Sequence, residues 1–233
     1  MRLDKYVADA LGLTRSEART LIKKGAVSAD GSVITDPGAK AETFTGIMSG
    51  GEWLSREEFI YIMMNKPAGV VSATEDGRDK TVLDLLPDNL RRRELFPAGR
   101  LDKDSEGFLL LTNDGALAHK LLSPKKKVGK KYFVRLAFPA DREKIDILEN
   151  GVDIGGYITL PCKVEILDES AAYITIVEGK FHQVKRMFEA VGNRVEYLKR
   201  VSFAGLELDK ELAPGEFREL CTKELEKILR TIQ

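Results

Sequence analysis

Between Gly99 and Gly107 the chain sets Arg100, Asp102, Lys103, Asp104, Ser105 and Glu106 directly against the apolar run Phe108-Leu109-Leu110-Leu111. The run reads as a buried strand, and a buried strand requires a sheet with other elements packed on it. A glycine at each end of the polar stretch allows a sharp turn and a close approach to a ligand. The strand behind it gives Asp102 a rigid mount. Asp102 is therefore the first residue that any functional account must explain.

Two plain alternatives bear on this stretch. Most polar loops entering a strand only solvate a turn, and Arg-Leu-Asp-Lys also occurs at Arg2 to Lys5. There Asp4 opens an amphipathic helix with Leu3, Tyr6, Val7, Ala10 and Leu11 on one face, so Asp4 is set aside as a decoy. Asp102, Asp104, Glu106 and Gly107 also imitate the start of a calcium loop, which ends on a bidentate glutamate. Asn113 stands at that position, so no metal is expected.

The chain has 233 residues and a formal net charge of zero. That length buries a real core and suits one full-size domain with a small appendage. No apolar run approaches the roughly 18 residues of a membrane span. Asp4 and Asp9 interrupt what a secretory signal would need, so a cytoplasmic protein without a membrane partner is expected. Cys162 and Cys221 lie far apart with no paired spacing, which excludes a disulfide framework or zinc site and predicts two core or half-buried thiols. Zero net charge argues against a nucleic-acid partner, but its distribution does not. No acid lies between Asp114 and Asp141, where Lys120, Lys125, Lys126, Lys127, Lys130, Lys131 and Arg135 fall. The balancing acids gather near the C-terminus, from Glu207 to Glu226.

Residues 1–46 read as helix, helix, hairpin. Gly12 breaks the first helix, and Thr14-x-x-Glu17 is a capping box that opens a second one closed by Gly25. Arg15, Arg19 and Lys23 recur every four residues with Lys24 beside them, a positive stripe suited to phosphate. Asp30-Gly31 is the hairpin turn. Residues 47–58, with Gly50-Gly51 and Ser55, read as a linker. A larger domain over 59–233 follows. Strands are predicted at 59–64, resuming at 70–72 after the Asn65-Lys66-Pro67-Ala68-Gly69 turn, and at 130–138, 163–167, 172–177 and 195–203. Helices are predicted at 81–86, 115–122 and 141–150, with another from Phe181 whose apolar face is Phe181, Val184, Met187, Phe188 and Val191. The alternation lacks a βαβ repeat, so the expectation is an α+β fold with a mixed, largely antiparallel sheet.

Gly99-Arg100-Leu101-Asp102 resembles the signature of pseudouridine synthases, in the branch that modifies ribosomal RNA. Thr14-Arg15-Ser16-Glu17-Ala18-Arg19 with Leu21-Ile22-Lys23-Lys24-Gly25 resembles the S-four RNA-binding module. The resemblance runs through nearly all of the chain and implies an enzyme that turns uridine into pseudouridine without a cofactor or metal. By resemblance Asp102 performs the chemistry, adding to C1′ of the sugar or removing a sugar proton. Lys130-Lys131-Tyr132 matches the family motif whose tyrosine packs on the target base and is a candidate base for the C5 proton. Phe181-His182-Gln183-Val184-Lys185-Arg186 resembles the third motif and makes Lys185 the partner of Asp102, with Arg186 as the fallback. Cations so near a helix start call for a compensating anion.

Leu198 aligns with a leucine of the uracil pocket, Arg100 is expected to hold a phosphate, and Lys66 in its Lys-Pro-x-Gly turn is carried as a further substrate contact. Arg15, Arg19, Lys23, Lys24, Lys130 and Lys131 are the expected RNA contacts, while His182 and His119 receive no catalytic part. The sequence of 181–193 looks most like enzymes acting on small-subunit ribosomal RNA. That makes this RNA, or an assembling small subunit, the expected partner of a monomer. A large-subunit enzyme and a non-catalytic ribosome-assembly factor are the alternatives.

Overall fold

The computed structural model describes residues 1–54 and 59–232. They form two compact units. The first comprises residues 1–60 and 83–95, and the second comprises 61–82 and the chain from 96 onward.

In the first unit, α1 (Leu3–Leu11) buries Leu3 and Val7, and Gly12 ends it in the left-handed region. Helix α2 (Arg15–Lys23) starts at the expected box, with Glu17 N–H donating to Thr14 Oγ1 and Thr14 N–H to Glu17 Oε2. Strands β1 (Val27–Ala29) and β2 (Ser32–Val33) form the predicted hairpin. The predicted linker is different. Over 47–53 it is a second hairpin, β3 (Ile47–Ser49) and β4 (Glu52–Trp53), with β3 paired antiparallel to β1 in a four-stranded sheet. Gly50 and Gly51 both take positive φ, the hairpin-turn signal. Buried Ile47 joins Leu3, Val7, Ala18, Ile22 and Val27 in this unit's core. Ser55 and the rest of the expected linker lie outside the described residues. The helix predicted at 81–86 is a 3₁₀ turn at Leu83–Leu85 followed by α3 (Asp88–Arg91).

The second unit is the predicted mixed sheet. Its strands are β5 (Tyr61–Lys66), β6 (Phe96–Pro97), β7 (Glu106–Thr112), β8 (Lys130–Leu136), β9 (Lys163–Ile166), β10 (Ala171–Ile176), β11 (Val195–Phe203), β12 (Leu206–Glu207) and β13 (Phe217–Glu219). The order is β13-β5-β7-β11-β8-β10-β9, with β6 added to β7 and β12 to β11. Among the described residues only β7 and β11 run parallel. Val70 to Ser72, expected as a strand, makes only an isolated bridge at Val71 with Thr81.

Helices α4 (Gly115–Leu122), α5 (Arg142–Asn150), α6 (Gln183–Ala190) and α7 (Thr222–Thr231) complete the unit. Residues Gly107 to Thr112 of β7 are all buried. Phe108 and Leu110 pack with Leu117, Ala118 and Leu121 of α4 and Ile228 of α7, each of the Phe, Leu and Ile side chains contributing about 1.5–3 kcal/mol. Gly107 is obligatory: its φ is +102°, and a Cβ there would sit 2.2 Å from Arg200 O on β11. Helix α6 starts two residues later than predicted, so Phe181 is 75% exposed and leaves the apolar face to Val184, Met187 and Phe188. Cys162 is half-buried, but Cys221 is exposed at the start of α7.

Candidate active site

The loop before β7 is held from beneath. Lys66, at the end of β5, has no exposed surface. Its ammonium donates to Ser105 O (2.8 Å), Asp102 O (3.0 Å), Pro67 O (3.0 Å) and Lys103 O (3.4 Å). The expected substrate contact by Lys66 is thereby corrected: the side chain is spent on loop carbonyls and shapes the backbone that carries Asp102. Burial pushes its pKa down to about 8, against the raising effect of Asp102 and Asp104. Ser72 Oγ fixes the other side of the loop, donating to Leu101 O and accepting from Leu101 N–H.

The Asp102 carboxylate is one-quarter exposed and faces the start of α6. Lys185 Nζ lies 3.4 Å from Oδ2, and His182 Nε2 lies 3.6 Å from Oδ1. Lys185 is bound more closely by Asp104, at 2.6 and 2.8 Å. Hydrogen bonding by Lys185 outweighs burial and lowers the Asp104 carboxyl below its ordinary value. The anion that a cation at a helix start requires is therefore a pair of carboxylates, and both also benefit from the helix dipole. Arg186 is not their partner, since its guanidinium turns to the carbonyls of Ile154 and Phe181. Asp104 and His182 were missed as site residues by sequence reasoning. The two-residue spacing of Asp102 and Asp104 is visible in the sequence, but the left-handed turn at His182 (φ +49°) that brings its ring to Asp102 is not.

Tyr132 is buried on β8, opposite Arg200 of β11 and Ile174 of β10. Arg200 in turn pairs with Gly107 at the start of β7. The strand fed by the Asp102 loop and the strand bearing Tyr132 thus share one cross-sheet row. Leu198, paired with Val134, is buried on the same face. Lys130 alternates onto this face and is buried, with its ammonium donating to Val128 O. Burial, then the nearby charge of Arg200, pushes its pKa down to about 8. A lysine so enclosed does not present charge to an RNA surface, which corrects that expectation. Lys131 points the other way, paired with Glu165 at 3.3 Å and lying over the Tyr173 ring. Arg100, Lys23, Lys24, Lys120 and Lys125 to Lys127 are exposed. Arg15 and Arg19 are half-exposed and converge on Asp4, which is fully buried. Asp4 has no part in the chemistry, as expected of a residue at the start of α1, but it organises the charged side chains of the first unit.

Among the described residues, no group of three His, Cys, Asp or Glu side chains could hold a metal ion. No described helix is long and apolar enough to cross a membrane.

Residues 60–190 match the family model for RNA pseudouridylate synthase, and residues 1–43 match the S4 (S-four) domain. The chain belongs to the RNA pseudouridylate synthase family. It is 54% identical over 231 residues to an uncharacterised RNA pseudouridine synthase of Bacillus subtilis (strain 168), covering 97% of each chain. It is 44% identical over 234 residues to ribosomal small subunit pseudouridine synthase A of Vibrio cholerae, covering 98% of this chain and 99% of that protein. The crystal structure of a pseudouridylate synthase matches with a TM-score of 0.70 at 38% identity, over 98% of this chain and 99% of that one. The protein is thus an RNA pseudouridine synthase, an isomerase with an RNA-binding first domain.

Proposed function

We propose that the enzyme isomerises one uridine of small-subunit ribosomal RNA to pseudouridine, with Asp102 as its catalytic carboxylate. The observation that carries the assignment is the placement of Asp102: a quarter-exposed carboxylate on a loop tied down by Lys66, faced by Lys185 at 3.4 Å. The small-subunit target rests on the near full-length likeness to the Vibrio cholerae enzyme.

The reaction breaks the bond from C1′ to N1, joins C1′ to C5, releases the C5 proton and returns a proton to N1. Atoms and electrons balance within the nucleotide. The target must leave its stack to reach a side chain. Asp102 then acts at the sugar, either on C1′ as a nucleophile or on a sugar proton as a base. Lys185 orients the carboxylate and balances its charge. Tyr132 packs on the base and receives the C5 proton in this reading, with Leu198 as an apolar neighbour of the base. Arg100, exposed on the same loop, holds the phosphate of the extruded nucleotide.

Purified protein incubated with ribosomal RNA transcripts and no added cofactor is expected to place pseudouridine in the small-subunit transcript, as read by site mapping. Asp102→Asn is expected to abolish product while RNA affinity stays within about twofold. Product from the variant at the parent rate would remove Asp102 from the mechanism. Modification of the large-subunit transcript alone would redirect the target.

A further inference from the structure

The first unit carries a charged cluster that the isomerisation does not use. The Asp4 side chain has no exposed surface, yet three guanidinium groups meet its carboxylate. Arg2 Nε and Nη2 lie 3.2 and 3.3 Å from Oδ1 and Oδ2, Arg19 Nε donates to Oδ2 at 2.8 Å, and Arg15 Nη2 approaches Oδ1 at 3.4 Å. The arginines arrive from two helices, Arg2 from the N-cap of α1 and Arg15 and Arg19 from successive turns of α2. All three side chains are about half exposed, at 53, 53 and 50%. Burial alone would push the Asp4 carboxyl up, but hydrogen bonds from Arg2 and Arg19, with the charges of Arg2 and Arg15, hold it well below the usual range.

The asymmetry of exposure carries the argument. A guanidinium has five N–H donors in a planar fork, and the Asp4 contacts use one or two of them on each arginine. The anion is hidden while the cations are not. Three positive charges on one carboxylate leave an outward excess, even with Asp36 close enough to act on Arg2. Planar forks held in place suit phosphate oxygens and lose less freedom on binding than free arginines would.

We infer that Asp4 is a positioning residue that gathers Arg2, Arg15 and Arg19 into one clamp for the phosphate backbone of RNA, an inference that rests on the RNA-modifying reading above. The clamp makes a counterintuitive demand. Deleting a negative charge from a protein that binds a polyanion ordinarily tightens binding. Here it releases three arginines and weakens it.

The test measures affinity of the full chain for a fluorescently labelled small-subunit ribosomal RNA transcript across a potassium chloride series. Asp4→Asn is expected to bind about fivefold more weakly or worse, with a shallower dependence on log salt, thermal unfolding confirming a folded first unit. The Arg2→Gln, Arg15→Gln double variant keeps the 2.8 Å Arg19 contact and so holds the fold. Its salt slope is expected to fall by about 1.4–1.8, from roughly 0.7–0.9 per phosphate contact. If Asp4→Asn binds as tightly as the parent or more tightly, the clamp is overturned while the enzyme assignment stands. If Asp4→Asn does not fold, the double variant decides, and an unchanged slope overturns the clamp. A parent that neither binds nor modifies the transcript overturns the functional reading and the clamp together.

Discussion

Replacing Lys66 with methionine sets two effects of opposite sign against each other, and their sizes can be worked from the contacts. Asp102 O also accepts from Ser105 N–H at 3.1 Å, and Lys103 O from Gly69 N–H at 2.8 Å, so both keep a partner. Pro67 O and Ser105 O lose the donor that Lys66 gave them. A buried carbonyl left without a donor costs about 1–3 kcal/mol, or about 2–6 for the two. Against this, holding the lysine charged when burial has carried it from 10.5 to about 8 costs about 3 kcal/mol at neutral pH, which methionine recovers. The balance lies between a gain of about 1 and a loss of about 3 kcal/mol. At about 2–4 °C per kcal/mol for a chain of this size, Tm should fall by no more than about 12 °C.

Catalysis enjoys no such cancellation. The same ammonium gathers the Asp102 carbonyl and those of Lys103 and Ser105 after it, and a displacement of about 1 Å at a reacting group costs on the order of 10²-fold. Lys66→Met should therefore fold, bind RNA, and release tritium from C5-labelled transcript about a hundredfold more slowly at saturating substrate. Calorimetry and tritium release on one preparation test both halves. A folded variant with kcat within threefold of the parent would refute the idea that Lys66 sets the loop.

Gly107→Ala should be among the most damaging single changes, losing about 3 kcal/mol or more in denaturant unfolding, because the new methyl group meets the Arg200 carbonyl and φ is positive. Lys185→Gln should lower kcat by about 10²–10³-fold through loss of the charge facing Asp102, with RNA affinity little changed, as steady-state and binding assays would show. Arg218 donates to both Glu224 oxygens at 2.8 Å and, more than any other cause, lowers that carboxyl from 4.5 to about 2. Its stabilisation is complete above pH 4.5 and is lost as pH falls towards 2, so Glu224→Gln should destabilise by about 1–2 kcal/mol at pH 6 and by nothing near pH 2 in urea titrations. For Lys66 and Lys130 stability also rises with pH, but in an alkaline window and because a burial penalty is relieved. Both fold with values of about 8 against 10.5, so their contribution to stability rises between pH 8 and 10.5, while kcat should fall above pH 8 as Lys66 loses its charge.

Periodicity and caps made much of the fold legible. Thr14 and Glu17 start α2 where the capping box put them, and α4 runs from Gly115 to Leu122 as expected. The hairpin at 47–53 was hidden because its strands are short and its Gly-Gly turn also suits a linker; pairing with β1 decides between them. Helix α7 and strands β12 and β13 went unread because the charged C-terminal composition masks the few apolar contacts, such as Ile228, that anchor them. At the site, the structure brings Lys185 to 3.4 Å from Asp102 across a long sequence separation that no local pattern shows. Charge alone, however, could not say which lysines are outside. Lys66 and Lys130 look like any surface lysine in the sequence; a ring of carbonyls encloses Lys66, and strand alternation turns Lys130 inward. The ion pairs of Asp4 were equally hidden, since two of its three arginine partners lie on another helix.

The parallel pairing of β7 with β11 has a bearing on how the enzyme comes into being. Glu106 and Gly107 are completed by Lys199 and Arg200, which the ribosome delivers only after most of the chain has emerged. Closing so long a stretch before any ladder contact rewards it is slow. The nascent enzyme should thus acquire its RNA-gripping first unit well before its chemical competence, and after dilution from denaturant, regain of turnover should lag behind regain of helicity.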